Sequence, residues 1–307
     1  MSVVAFDTSN YTTSIAWFDG TAGENCSQLL PVREGELGLR QSDAVFHHTK
    51  SLPELSDRLF SHISADEITA VGVSTRPRAV EGSYMPCFMV GYSHAKLISD
   101  MLGVPLIEVS HQQGHVAASL WSADHLELMD EPHLAWHLSG GTTELLLVEP
   151  EGRNVRCTKI GGTTDISAGQ LIDRAGQILT LPFPSGKHID VLSQEASMKE
   201  VFKVKCPGLE FSLSGVQNKV QQFHEKYADP AETAAYALRC VAAAVCKATE
   251  NAQKAYPGMR VVFSGGVASN SMLRSMTAQF DPIFSQPQYS TDNAMGVAVL
   301  AQRALED

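Results

Sequence analysis

The chain has 307 residues, long enough to bury a large core and for that core to divide, since single domains cluster near roughly 100–150 residues. With 44% hydrophobic and 19% charged residues, it is excluded from the intrinsically disordered class. Its 23 Lys and Arg against 34 Asp and Glu leave a formal charge of −11, which excludes a broad basic face for duplex nucleic acid but not a local basic patch or a basic partner.

In chain order, Val3–Phe6 is an apolar run that ends in Asp7-Thr8-Ser9, and Thr13–Phe18 is a second run before the turn Asp19-Gly20. This opening predicts an antiparallel strand pair. Leu52, Leu55, Leu59 and Ile63 have helical spacing, with Ser51 as the expected cap and Glu54 three residues on. Ala70–Val73 reads as a buried strand, and Tyr84–Leu102 as a helix closed by Gly103 and Pro105. Pro105–Val109 is a short strand leading into His111. Leu134–Leu138, Glu144–Val148 and Val155–Lys159 predict three more strands, the first two joined by the tight turn Ser139-Gly140-Gly141-Thr142. Ser167–Leu179, Ala231–Tyr256 and Asn293–Leu305 read as helices, and Arg260–Phe263 as a strand running into Ser264-Gly265-Gly266. A hairpin followed by alternating helices and strands thus occurs twice. Two similar α/β halves around a cleft are expected, 1–131 and 132–307, with the boundary at Asp130-Glu131-Pro132.

No apolar run approaches the roughly 20 residues of a bilayer span, and MSVVAFDTSN lacks a basic stretch ahead of an apolar one, so a cytoplasmic protein with no membrane partner is expected. The six cysteines form no C-x-x-C pair and are expected to be reduced and mostly buried. His111 and His115 stand four residues apart. On a helix that spacing puts both imidazoles on one face, as two ligands of one divalent ion require, although two histidines that bind nothing fit the same spacing. Asp292 in Ser290-Thr291-Asp292-Asn293 is a candidate third ligand; its plain alternative is a helix N-cap. Glycines at strand ends let backbone approach a phosphate. Ser139-Gly140-Gly141 and Ser264-Gly265-Gly266, with Asp7-Thr8-Ser9 at a third strand end, suggest a nucleotide clamped between the halves. Asp173, next to Arg174, is either a solvated pair or, with Asp190, a holder of ribose hydroxyls.

With those residues laid out, the sequence resembles the TsaD family, which includes the catalytic subunit of the KEOPS complex once called O-sialoglycoprotein endopeptidase. Asp7-Thr8-Ser9 is similar to the family's E-T-S, Pro53-Glu54-Leu55 to V-P-E-L-A, and His111-x-x-x-His115 to its metal motif. Leu138–Thr143 is similar to V-S-G-G-x-T, Asp165–Gly169 with Leu171–Arg174 to D-I-A-x-G-x-x-L-D-R, and Leu181–Gly186 to L-x-Y-P-G-G. Phe211–Gly215 resembles F-S-F-S-G, Gly265–Asn270 resembles G-G-V-A-A-N, and Thr291-Asp292-Asn293 resembles C-T-D-N. Nine motifs in the right order cover nearly the whole chain.

The resemblance implies two tandem actin/Hsp70-like (ribonuclease H-like) ATPase subdomains with a central nucleotide cleft, a helical insertion in the second, and the last helix near the cleft. It implies that His111, His115 and Asp292 hold iron or zinc and act through it, with His137 a candidate fourth ligand. It implies ATP or an acyl-adenylate, with Mg as companion ion, bound by Asp7, Ser9, His137, Leu138, Ser139, Gly140, Gly141, Asp173, Gly186, Asp190, Gly265, Gly266 and Asn270. The reaction implied is transfer of a threonylcarbamoyl group from its adenylate to adenosine 37 of tRNA, with partner subunits in attendance.

The departures are local. Ser74-Thr75-Arg76-Pro77-Arg78 replaces a G-P-G-L turn, Ser9-Asn10-Tyr11 replaces a Cys-Asp-Asp-type turn, and Lys50-Ser51 stands for Gly-Gly. They mark a divergent paralogue with its nucleotide and metal sites kept and its acceptor site rebuilt. Two other readings compete with the tRNA enzyme: a carbamoyltransferase acting on a small or protein acceptor held by Arg76 and Arg78, and a non-catalytic scaffold. The scaffold has no need of the histidine pair. A protease is not indicated, since neither a nucleophile with a paired base nor H-E-x-x-H is present.

Overall fold

The computed structural model describes residues 2–9, 11–31 and 39–306; Asn10 of the second departure lies outside them. Two compact units result. The first comprises Met1–Glu131, Glu149–Cys157 and Asp292–Asp307; the second comprises Pro132–Val148 and Thr158–Thr291.

The first unit is built on a five-stranded sheet. β1 (Ser2–Thr8) and β2 (Thr12–Phe18) are apolar and buried, and pair antiparallel from Val3 opposite Phe18 to Thr8 opposite Thr13. β3 (Gly23–Leu29) adds the edge. Its polar run Glu24-Asn25-Cys26-Ser27-Gln28 hid it from pattern reading, because an edge strand needs little apolar surface. α1 (Gln41–Leu59) begins eleven residues ahead of the expected start. Ser51 is not its cap but a buried mid-helix residue, and Pro53 sits inside the helix where the sequence suggested an N-terminus. β4 (Ile68–Arg76) pairs parallel with β1 and with β5 (Leu106–Ser110), and α2 (Phe88–Leu102) connects them. α2 ends on Gly103 in the left-handed region, φ 67°. α3 (His111–Ser122) follows β5 directly, and the sheet order is β3-β2-β1-β4-β5.

The second unit repeats the opening. β6 (His133–Leu138), β7 (Thr143–Glu151) and β8 (Asn154–Thr163) come first, and the far end of the β7–β8 turn, Glu149–Cys157, groups with the first unit. Then come α4 (Ala168–Ile178), α5 (Gly186–Ser193), β9 (Glu210–Phe211), α6 (Ser214–Tyr227) and α7 (Pro230–Ala255). β10 (Val261–Ser264), α8 (Ser271–Thr277) and β11 (Ile283–Phe284) complete the unit, with sheet order β11-β10-β6-β7-β8-β9. α7 is capped by Asp229, has Pro230 in its first turn, and is buried along most of its length. Trp136, fully buried in β6, donates its indole N–H to Thr249 of α7 at 2.9 Å, which ties helix to sheet.

α9 (Met295–Arg303) does not stay with this second unit. Residues Met295–Ala301 are all buried. A helix apolar on every side needs cover on every side; α9 finds it over β1 and β4 and against α3. The second half drawn from sequence alone ran to 307. In the folded chain, residues 292–307 belong to the first unit. No helix of the described residues is long and apolar enough to cross a membrane.

Candidate metal centre

α3 starts at His111 because Ser110 caps it. Ser110 Oγ accepts the backbone N–H of Gln113 at 3.3 Å, and Gln113 Oε1 accepts the Ser110 N–H at 2.9 Å, a reciprocal capping box. Gly114 does not break the helix. His111 and His115 therefore sit one turn apart on one face, with Nε2 atoms 2.9 Å from each other. Asp292 Oδ1 faces both, 3.5 Å from His111 Nε2 and 3.3 Å from His115 Nε2. Asp292 is not the cap of α9; Ala294 holds that position.

Asp292 arrives through close packing of α9 on α3. A Cβ built on Gly296 would lie 1.8 Å from the Gly114 carbonyl oxygen and 2.7 Å from Ala118 N. Only a residue without a side chain permits this approach. Asn25 Oδ1 accepts the Ala294 N–H at 2.9 Å and fixes the segment just ahead of α9. Neither Gly296 nor Asn25 was legible as a site residue: a glycine in a helix and an asparagine on an edge strand carry no local signal of the partner they meet.

The geometry fits a metal ion. Ligand atoms at the corners of a zinc tetrahedron stand about 3.4 Å apart; the three edges here are 2.9, 3.5 and 3.3 Å. Two imidazole nitrogens facing each other at 2.9 Å need a proton or a cation between them. Two imidazoles and one carboxylate suit zinc or ferrous iron and leave coordination positions open for a substrate. His111 Nδ1 donates to Asp7 Oδ2 at 2.8 Å, and Asp7 is fully buried. That bond selects the tautomer with a bare Nε2 aimed at the other two donors. Asp7 Oδ1 also accepts the Ser9 N–H at 3.0 Å, so the carboxylate is committed to His111 and its own turn rather than left for a nucleotide.

Burial works against charge on His111, but the Asp7 and Asp292 carboxylates beside it outweigh this and raise its pKa to about 10. Asp292 is partly buried, which works against its charge, yet the two histidines hold its carboxyl well below the usual range. At neutral pH the metal-free cluster is therefore protonated on His111, and a metal must displace that proton. Zinc titration of the metal-free protein at pH 7 should release about one proton per ion, read by calorimetry in buffers of different ionisation enthalpy, and affinity should rise with pH. Asp7→Asn should weaken zinc affinity by about 10- to 100-fold with all three donors intact; unchanged affinity would leave Asp7 no part in orienting His111.

The nucleotide candidates other than Asp7 and Ser9 lie in the second unit: His137 to Gly141 and Gly265-Gly266 at the C-terminal ends of the parallel strands β6 and β10, where open α/β sheets bind ligands, Asp173 in α4, Gly186 and Asp190 in α5, and Asn270 at the cap of α8. Leu138 is fully buried in the core, so only its backbone is on offer. Ser139 and Thr142 close their turn on each other, and Gly140 and Gly141 have open space where a side chain would stand. Gly265 needs to be glycine twice over: φ is 89°, and a Cβ there would lie 2.2 Å from the Leu138 oxygen. Asp173 accepts the Ser185 N–H at 2.8 Å, beside Gly186 at the start of α5, and burial raises its pKa. Asp190 and Asn270 meet each other, with Asn270 Nδ2 donating to Asp190 Oδ1 at 2.8 Å, and Ser271 adds two more bonds to the same carboxylate. Their polar atoms are thus largely engaged within the protein. His137 lies in β6, its Nδ1 3.4 Å from Ser264 Oγ.

Residues 36–299 match the family model described as tRNA N6-adenosine threonylcarbamoyltransferase. A protein of that name from Carboxydothermus hydrogenoformans is 33% identical over 264 residues, which cover 82% of this chain and 75% of the relative. One from Thermosipho africanus is 30% identical over 318 residues, 97% of this chain and 93% of the relative. Among solved structures, full-length HypF superposes with a TM-score of 0.63 at 15% identity, covering 100% of this chain and 56% of HypF. Component A of Acidaminococcus fermentans (R)-2-hydroxyglutaryl-CoA dehydratase superposes at 0.57 and 14%, with 99% of each chain covered. These likenesses show that the chain shares the fold of those two structures.

Proposed function

Because the chain belongs to the TsaD family, the tRNA N6-adenosine threonylcarbamoyltransferases, we propose that His111, His115 and Asp292 hold one divalent metal ion, iron or zinc, at the reacting centre of a threonylcarbamoyl transfer to tRNA. The chain is a transferase and not a protease. The observation that carries the reading is the convergence of these three donors within 4.8 Å of one another. When bound, the metal ion supplies Lewis acidity to the carbonyl of the transferred group.

The protein's own residues do the rest. Asp7 holds the His111 proton at Nδ1, so the proton that a metal would displace is the one on Nε2, the nitrogen that faces His115 and Asp292. The Ser139–Gly141 turn and Gly265-Gly266 offer backbone close to a phosphate, and Asp173, Gly186, Asp190 and Asn270 frame the ribose and base of an adenylate. In the transfer, the exocyclic amine of adenosine 37 forms a bond to the carbamoyl carbon. The bond from that carbon to the adenylate oxygen breaks, AMP leaves with the electron pair, and the proton lost by the amine passes to water.

The test is direct. The purified protein is analysed for iron and zinc, then supplied with threonylcarbamoyl-adenylate and unmodified tRNA, and nucleosides are analysed for the threonylcarbamoyl product. Metal-dependent product on tRNA is the expected result; metal-bound protein that makes none overturns it. A second reading is favoured by one observation. Arg76 and Ala79–Ser83 line an open surface hollow, and Pro77 O accepts the Gln112 N–H at 3.0 Å, which places this loop beside the start of α3. A guanidinium there suits a small anionic acceptor, and adenylate turnover that ignores tRNA would favour that acceptor.

A further inference from the structure

The charge of −11 is divided unevenly. The first unit carries 10 Lys and Arg against 22 Asp and Glu, a balance of −12; the second carries 13 against 12, a balance of +1. The net field of the first unit disfavours a polyanion, whereas the near-neutral second unit leaves local clusters of cations free to attract one.

One segment of the second unit gathers that attraction. Residues 196–206 form no helix or strand, yet α7 holds them firmly. Glu232, buried, accepts the N–H groups of Ser197 at 2.6 Å and Met198 at 3.0 Å. Arg239 Nε donates to Glu200 O at 3.1 Å, and the Phe202 N–H donates to Cys240 Sγ at 3.3 Å. Asn251 Nδ2 donates to Cys206 O and Gly208 O at 3.2 and 2.7 Å. A buried carboxylate is costly unless its bonds are filled; this one is filled by fixing an irregular strap.

Val201, Val204 and Cys206 pack inward on the core, so Lys199, Phe202, Lys203 and Lys205 face solvent. Lys219 Nζ of α6 stands 5.8 Å from the Phe202 ring centre. Among the described residues, none of these four lysines has a carboxylate in ion-pair reach, whereas Lys247 and Lys254 are both paired with Glu250. Lys219 Nζ also donates to Gln222 Oε1 at 3.1 Å, a neutral partner. Exposed lysines without a carboxylate partner, on one strap with an exposed aromatic ring, are what an RNA strand needs: cations for phosphates and an aromatic surface for an unstacked base.

We propose that this strap, Lys199, Phe202, Lys203 and Lys205 with Lys219, is the surface on which tRNA docks. The proposal rests on the reading of the chain as a tRNA-modifying transferase. It is tested with the metal-loaded protein and fluorescently labelled unmodified tRNA, by anisotropy over a salt series. The variant K199Q/K203Q/K205Q should bind at least tenfold more weakly at about 0.1 M salt, and its log–log salt slope should be shallower by about 2. Phe202→Ala should weaken binding severalfold and leave the slope unchanged. Metal content and thermal midpoint should match wild type in both variants. If the triple variant keeps wild-type affinity and slope, tRNA docks elsewhere and the transfer reading stands. If wild type with metal bound turns over threonylcarbamoyl-adenylate but binds no tRNA even at about 50 mM salt, the tRNA reading itself fails and the docking surface with it.

Discussion

Replacing His111 by Ala is expected to abolish metal binding and transfer together. Two donors remain, and His115 with Asp292 alone do not define an ion's position. Loss of the Lewis acid removes several kcal/mol of stabilisation from the reacting carbonyl, so the rate should fall by about a thousandfold or more. The same change strands the buried Asp7 carboxylate, whose Oδ2 loses its 2.8 Å partner. A separate loss of stability, about 3 kcal/mol, should accompany it. His115→Ala distinguishes the effects, because the Asp7–His111 bond survives while a metal donor is lost. Adding Asp7→Asn to His111→Ala should restore most of the stability and none of the metal.

The pH dependence has a definite sign. His111 in the metal-free fold has its pKa raised to about 10, from an unfolded value of 6.5. Its contribution is fully present below pH 6.5 and is lost as pH rises towards 10. The destabilisation by His111→Ala should therefore be larger at pH 6 than at pH 10. Equal losses at both, measured by urea unfolding of metal-free protein, would contradict the charged pair.

Gly296→Ala should be nearly as damaging although Gly296 touches no ligand. The added Cβ would stand 1.8 Å from the Gly114 carbonyl oxygen, and the obstacle is backbone, which has no rotamer to yield. α9 must move away from α3, at a cost of about 3 kcal/mol and a fall in thermal midpoint of roughly 10 °C. Asp292 lies just ahead of α9, so the shift pulls its carboxylate from the histidines, and zinc affinity should fall by at least a hundredfold. Gly114→Ala, whose Cβ would meet chiefly a Val297 methyl at 3.1 Å, should cost much less. A Gly296→Ala protein with wild-type stability and metal affinity would show that the two helices need not pack so closely.

The sequence by itself determined the repeated hairpin-and-helix order, the helix α7, and the pair of histidines on one helical face. Each is a local pattern: alternation or continuity of apolar residues for strands, a period near 3.6 for helices, and a four-residue spacing that a helix turns into proximity. It also supplied the family resemblance, since motif order survives where overall identity is near 30%. What it misread shared one cause. β3 is a polar edge strand, α1 runs through a proline, and α9 returns to the first unit, and each was decided by neighbours far away in the chain.

The same division runs through the site. Spacing alone left His111 and His115 open to a bland reading and Asp292 open to a cap; only tertiary packing brought Asp292 Oδ1 to 3.5 and 3.3 Å from the two rings. Only the fold turned Asp7 from a nucleotide candidate into the buried partner of His111, 104 residues away. Hydrogen bonds and carboxylate–imidazole contacts act over about 3 Å, and no period in a sequence encodes which distant atoms will come that close. The charge tells the same story: the sequence fixes its sum at −11, whereas the fold assigns −12 to one unit and +1 to the other.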